Sequence, residues 1–377
     1  MLPASLPAVA GPTPAAVCRG MTLSERMPWW AWACPAAAWA VLVAAKFAGL
    51  GAPLAAAAAL ILVATVFAAV YHAELVAHRV GEPFGTLVLA IAVTVIEVAL
   101  IVSVMLGGGA DKAALARDTV FAAFVIVCNG VVGACLLAGG MRHREQGFQL
   151  QGASGALAVL AALTTLTLVI PNFTTSSPGP VFTPAQLGFA GVISLILYGV
   201  FVFVQTVRHP DDFLSPGDDD HAVRPTGRAA SLSAVLLLVA LVAVVGLAKA
   251  LSPLMEAGLG RAGAPKAVIG VVIAALVLLP EGLAAVRAAR ANRLQVSLNL
   301  ALGSALASIG LTIPAVAAVS LWLGTNLTLG LDAKEEVLLA LTLLVSVITL
   351  GTGRTTVLQG AVHLVILAAF LFLTVTP

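Results

Sequence analysis

From Trp29 onward the chain alternates between long apolar stretches and short breaks marked by charges, prolines and glycines. Cutting at those breaks leaves eleven segments, at 29–46, 53–73, 84–106, 119–140, 154–171, 186–206, 230–251, 265–287, 295–323, 336–351 and 356–376. Their apolar residues run continuously instead of alternating with period two, which predicts helices and not barrel strands. Most approach the ~20 residues a helix needs to cross ~30 Å of hydrocarbon, and the tenth is short. The expected fold is therefore all-α, a polytopic membrane protein of about eleven transmembrane helices.

The longest polar connection, His209–Arg228, follows the sixth segment and carries Asp211, Asp212, Asp218, Asp219 and Asp220. With the first segment set aside, five segments lie on each side of it. Five is odd, so the two halves would sit in the membrane in opposite orientation, as inverted repeats with an ion site at their interface. The expected division is an N-terminal extension at 1–28, a first helix and loop at 29–52, one five-helix repeat at 53–206, an acidic cytoplasmic loop at 207–229 and a second repeat at 230–377. The extension holds Pro3, Pro7, Pro12, Pro14 and Pro28 and no basic residue before Arg19, which fits a disordered segment better than a cleaved signal peptide. The aspartates read as a solvated linker, because they lack EF-hand spacing.

Composition narrows the class. Hydrophobic residues make up 60% of the 377 and charged residues 10%, against about 25% charge in soluble domains; mean hydropathy is +1.08. That excludes a soluble enzyme and a nucleic-acid binder. The net charge of +2 points to no charged partner, and Cys18, Cys34, Cys128 and Cys135 are too scattered for a disulfide framework. Lys and Arg divide unevenly between the two sides. Arg19, Arg26, Arg79, Arg142, Arg144, Arg208, Arg224, Arg228, Arg287, Arg290, Arg293 and Arg354 make 12 on one side, and Lys46, Lys112, Arg117, Lys249, Arg261, Lys266 and Lys334 make 7 on the other. The richer side is expected inside, with a cytoplasmic N-terminus and an external C-terminus. No phosphate-binding G-x-x-x-x-G-K-[ST] loop occurs, so an ion gradient is the expected energy source.

Two carboxylates interrupt the apolar text. Glu97 is the lone charge of its segment, and Glu281, between Pro280 and Gly282, is the lone charge in Ala267–Val286. A charge at the bilayer centre costs at least ~2.5 kcal/mol and is usually retained for work. Each glutamate falls in the second segment of its half, so inverted repeats would bring them together. Pro280 is expected to disrupt its helix and free backbone oxygens. The ninth segment adds Asn299, Ser304, Ser308 and Thr312, with Ser304 and Ser308 on one helical face, while the fourth holds Cys128-Asn129-Gly130. Carboxylates with neutral oxygens are hard ligands, suited to Ca2+, Na+ or Mg2+. An empty, unsolvated pair holds protons, which a cation displaces, so one site serves both ions. A different class stays open: His72, Glu74 and His78 invite an intramembrane metalloenzyme, although H-x-E-x-x-x-H is not the zinc-protease spacing. His363, in the last segment, reads as a packed histidine.

The segments HAELVAHRVGEPFGTLVLAIAVTVIEVALIVSVML from His72 and LLPEGLAAVRAARANRLQVSLNLALGSALASIGLTIPAV from Leu278 resemble the paired alpha-repeats of the calcium/proton exchangers, within the calcium/cation antiporter superfamily. ARDTVFAAFVIVCNG from Ala116, RHREQ from Arg142 and VQTVRH from Val204 extend the likeness over nearly everything after the N-terminal extension. The resemblance implies a first helix outside the repeats and a cation bound by Glu97 and Glu281. It also implies Ser304 as the polar ligand on the following span, Asn129 as its counterpart in the first repeat, and Glu74 and Glu82 on a proton route. The chain departs from the family by placing Thr94, Val95 and Ile96 before Glu97 and Leu279-Pro280 before Glu281, where many relatives have asparagine. Thr94 and Ser308 are then supporting ligands. The expected function is a secondary antiporter of a bacterial inner membrane. It would export Ca2+, with Na+ or K+ as alternatives, in exchange for H+, by rocking of the second-repeat spans against the rest. It would need no cofactor and no partner besides lipid and inorganic cations.

Overall fold

The computed structural model describes residues 27–81, 84–105, 113–213 and 225–376. Almost all of the N-terminal extension, Glu82 and Asp218–Asp220 lie outside the described residues. The described chain forms eleven helical rods: α1 (Trp29–Ala48), α2 (Ala52–Val80), α3 (Phe84–Met105), α4 (Leu115–His143), α5 (Leu150–Phe173), α6 (Pro184–Arg208), α7 (Gly227–Ala262), α8 (Ala267–Arg290), α9 (Leu294–Leu323), α10 (Ala333–Leu350) and α11 (Val357–Val375). Among the described residues nine are long and apolar enough to cross a membrane.

Each rod matches a predicted segment, and the largest discrepancies have one cause. Helices α2 and α7 continue past Glu74 and past Pro253, where a charge and a proline had marked the ends at 73 and 251. Polar residues there extend a helix beyond the apolar slab and do not stop it. Real ends carry specific devices. Thr183 accepts from the Gln186 amide at 3.3 Å while Gln186 Oε1 accepts from the Thr183 N–H at 2.9 Å, a reciprocal cap on the first turn of α6. Gly81 ends α2 at φ 75, a conformation side chains resist.

Pro280 does not break α8, which stays helical from Ala267 to Arg290. The proline removes one backbone donor without unwinding its neighbours, because packing on both sides holds the rod. The interruptions fall elsewhere. Rod α4 contains a π-turn at Ile126–Val131, and α9 breaks between Gly310 and Thr312, where Leu311 stands at φ −113, ψ −38. Both are the third rod of their half; further π-turns lie near the ends of α5 (Thr165–Val169) and α6 (Val204–Arg208).

The packing is reciprocal between halves. The first rods, α2 and α7, lie against each other; α3 packs on α9 as α8 packs on α4; α6 packs on α9 as α11 packs on α4. At one end the two-residue strands β1 (Gln146–Gly147) and β2 (Arg354–Thr355) pair antiparallel. At the other, Thr328 bridges Val181 and donates to the Ala113 carbonyl.

Two apolar clusters make the core. One joins α4, α5, α6, α9 and α10; the other joins α1, α2 and α7. The glutamate-bearing rods lie between them. Helix α8 gives Ile273 and Val277 to one cluster and Ala274 and Leu278 to the other, and α3 divides Leu100 from Ile101 in the same way. The seam therefore does not follow the boundary between the two halves.

Candidate functional site

Glu97 lies near the middle of α3 and is 1% exposed. Thr312, just past the break in α9, donates its hydroxyl to Glu97 Oε2 at 3.0 Å. The Ser308 hydroxyl stands beside the same carboxyl, and Glu281 is near enough to act on it electrostatically. Glu281 is half-buried, but its Oε2 has no contact with solvent. The Ser304 hydroxyl stands next to the Glu281 carboxyl without the geometry of a full hydrogen bond. Rod α9 thus serves both acids along one face, with Ser304 toward Glu281 and Ser308 and Thr312 toward Glu97. The spacing of four residues stacks Ser304 and Ser308 one turn apart, and Thr312 follows across the break at Leu311.

Six buried side-chain polar atoms lack a hydrogen-bond partner among the described residues, and four belong to this group: Thr94 Oγ1, Glu97 Oε1, Glu281 Oε2 and Ser304 Oγ. An unmet buried acceptor costs about 1–3 kcal/mol and calls for an explanation. A set of carboxyl and hydroxyl oxygens is the donor set of a hard cation. Pro280 also leaves the Leu276 carbonyl, four residues earlier, without its helical N–H.

The structure brings Glu97, Glu281, Ser304 and Ser308 together, leaves Thr94 one turn before Glu97 on α3 with its hydroxyl buried, and takes Asn129 elsewhere. Within the π-turn, Asn129 Nδ2 donates to Thr342 Oγ1 at 2.9 Å and its Oδ1 meets His363 Nδ1 at 3.1 Å. Asn299 donates to the Phe213 carbonyl at the end of the bundle. Glu74 lies on an exposed face of α2, electrostatically linked to His78 and to Glu281.

His72, Glu74 and His78 do not converge. His72 is fully buried, with Nε2 3.0 Å from the Ala31 carbonyl and Nδ1 3.1 Å from Ser233 Oγ, so both ring nitrogens are engaged away from Glu74. Two further residues were not apparent in the sequence. Tyr198 of α6, 6% exposed, lies within the field of Glu281 and packs where Gly310 leaves room at the break in α9. Arg117 pairs with Asp118 at 2.8 Å and donates to the Gly330 carbonyl at 2.9 Å. It lines a cavity of about 210 Å³ with Asp332 and Glu335. The adjacent Arg117-Asp118 pair at the start of an apolar helix was the available signal for the second, and Tyr198 carried none.

The sequence profile of the sodium/calcium exchanger protein family matches residues 50–207 and 232–376. The chain is 55% identical to y4hA of Sinorhizobium fredii (strain NBRC 101917 / NGR234) over 322 residues, 84% of this chain and 87% of that one. It is 37% identical to the sodium-potassium/proton antiporter ChaA of Escherichia coli (strain K12) over 316 residues, 82% of this chain and 85% of that one. Its fold is similar to native YfkE, with TM-score 0.71 at 18% identity, over 92% of this chain and 100% of that one. It is also similar to the H+/Ca2+ exchanger CAX, with TM-score 0.65 at 15% identity, over 90% and 87%. Profile and relatives span both halves and every rod that builds the site: the chain belongs to the sodium/calcium exchanger family of the calcium/cation antiporters, an integral membrane cation transporter and not an enzyme.

Proposed function

We propose that the chain is a secondary antiporter that exports cytoplasmic Ca2+ in exchange for H+, with Glu97 and Glu281 as shared ligands for both ions. The carrying observation is that Glu97 and Glu281, beside the hydroxyls of Ser304 and Ser308, are near each other, each with an unpartnered buried carboxyl oxygen. Their combined charge balances one divalent cation. A vacated, unsolvated pair is neutralised by protons instead. Ser304, Ser308 and Thr94 supply neutral oxygens, and Glu74 with His78 offers protons a stepping point from the end of α2.

The two halves act as inverted repeats, a reading supported by the reciprocal packing and by the interruptions in α4 and α9. Alternating access follows the seam: the α1, α2 and α7 body moves against the body built on α4, α5, α9 and α10, and the acids lie between them. The N-terminus is inside a bacterial plasma membrane.

Proteoliposomes with an imposed pH gradient test this. Wild-type protein should accumulate Ca2+ against its gradient, and Glu97→Gln or Glu281→Gln should abolish uptake. Normal transport by either variant overturns the reading. A second reading, Na+ or K+ in place of Ca2+, is favoured by the name of the Escherichia coli relative. It predicts Na+ or K+ flux under the same gradient with no Ca2+ flux.

A further inference from the structure

We propose that His363 is a positioning residue for the cation site, acting through Asn129 and the π-turn that carries it. The inference rests on the exchange reading above and goes further, to a residue that touches neither acid.

The chain of contacts is continuous. His363 is fully buried in α11: Nδ1 meets Asn129 Oδ1 at 3.1 Å, Nε2 meets Thr349 Oγ1 at 3.1 Å, and the Cys128 carbonyl of the π-turn is a further hydrogen-bond partner of the ring. An amide oxygen only accepts, so Nδ1 carries the proton and Nε2 accepts from the Thr349 hydroxyl. Asn129 spends its Nδ2 on Thr342 at 2.9 Å. Its orientation is thereby set from both ends by α10 and α11, and with it the turn Ile126–Val131.

That turn borders the site. A Cβ placed on Gly282 would come within 3.2 Å of Val131 Cγ2, so the π-turn lies directly against the residue following Glu281. On its other flank, Gly130 approaches Leu367, and a Cβ on Gly133 would fall 2.9 Å from His363 Cβ. No slack exists between His363 and the turn, or between the turn and Gly282. A π-turn is a strained way to close a helix and recurs at functional positions. Here a hydrogen-bonded side chain at its centre holds it. Four buried polar side chains whose only evident yield is the placement of one turn are an unusual investment in hydrocarbon.

The test uses full-length protein in proteoliposomes, with Ca2+, Na+ and K+ each titrated under a fixed pH gradient. His363→Leu should raise the apparent KM for the transported cation roughly 2- to 30-fold, the size of coupling carried through intervening side chains, with maximal rate within twofold. Thr342→Val, which frees Asn129 Nδ2 at nearly constant volume, should shift KM in the same direction. His363→Gln, which restores a donor toward Asn129, should recover most of the affinity. A merely structural histidine would lower protein yield or Tm and leave KM alone. An unchanged KM in both His363→Leu and Thr342→Val overturns the inference while leaving the exchange reading intact. Absence of gradient-driven flux of all three cations in the wild type overturns the exchange reading and this inference with it.

Discussion

Thr312 reaches Glu97 across 215 positions of sequence, its hydroxyl 3.0 Å from Oε2. The bond depends on the break in α9, because Thr312 begins a new helical segment after Leu311. A hydrogen bond to a charged group is worth about 1.5–3 kcal/mol. Thr312→Val should therefore weaken apparent cation affinity by roughly tenfold or more, and Thr312→Ser should restore it. Cation-dependent flux measured on both variants decides the point: equal KM in Thr312→Val and wild type would remove Thr312 from the site.

The seam of rods α4 and α11 makes a stability prediction. A Cβ on Gly360 would meet the Leu137 nitrogen at 2.5 Å and the Gly133 carbonyl at 2.8 Å, backbone atoms that cannot turn aside. Gly360→Ala should cost about 1–3 kcal/mol, as overpacking does. Gly188 of α6 is the control: nothing lies within 4 Å of its added Cβ. Gly188→Ala should be neutral or stabilising by up to about 1 kcal/mol, from helix propensity. Thermal unfolding in detergent separates the two.

Much of this was legible in the sequence, for identifiable reasons. Cutting at charges, prolines and glycines locates all eleven rods, and among the described residues nine have the apolar length that hydrocarbon thickness imposes. Glu97 and Glu281 stand out because an isolated acid in such text is costly. What was not legible depends on long-range contact. Nothing near Asn129 says that its partner is His363, 234 positions away, and without that partner the asparagine reads as a ligand. Tyr198 looks like any aromatic in an apolar helix until Gly310 admits it beside the break. Pro280 was misleading because local propensity predicts a broken helix, whereas packing on both faces keeps α8 whole.

Arg117 joins the halves at the end of the bundle where Thr328 meets Ala113. Its guanidinium holds Asp118 at 2.8 Å and the Gly330 carbonyl at 2.9 Å, with Asp332 at 3.6 Å. Side-chain exposure is 10% for both Arg117 and Asp118, so removal of one leaves the other charge unpaired in a dry setting. Arg117→Met should lose about 3–5 kcal/mol, and Arg117→Met with Asp118→Leu should recover part of it. Neither should alter cation KM, since the cluster touches neither glutamate. Chemical unfolding read beside flux checks both halves of the expectation.

The first helix carries a proline whose cost is met by another rod. Pro35 lies within α1 and has no N–H, so the Ala31 carbonyl, four residues earlier, receives no helical bond. His72 of α2 supplies it, with Nε2 3.0 Å from Ala31 O. A carbonyl only accepts, so this nitrogen carries the proton and Nδ1 is left to accept from Ser233 of α7. One neutral histidine thereby ties α1, α2 and α7 into the body on one side of the seam. Replacing it with leucine strands the carbonyl and the serine, at about 1–3 kcal/mol. Pro35→Ala restores a backbone donor to the same carbonyl, so the histidine should matter less in that background. The double-mutant cycle of Pro35→Ala and His72→Leu should show a coupling of about 1 kcal/mol, with the double variant more stable than the sum of the singles predicts. Strict additivity in thermal unfolding would mean that His72 acts through packing and not through the carbonyl that Pro35 exposes.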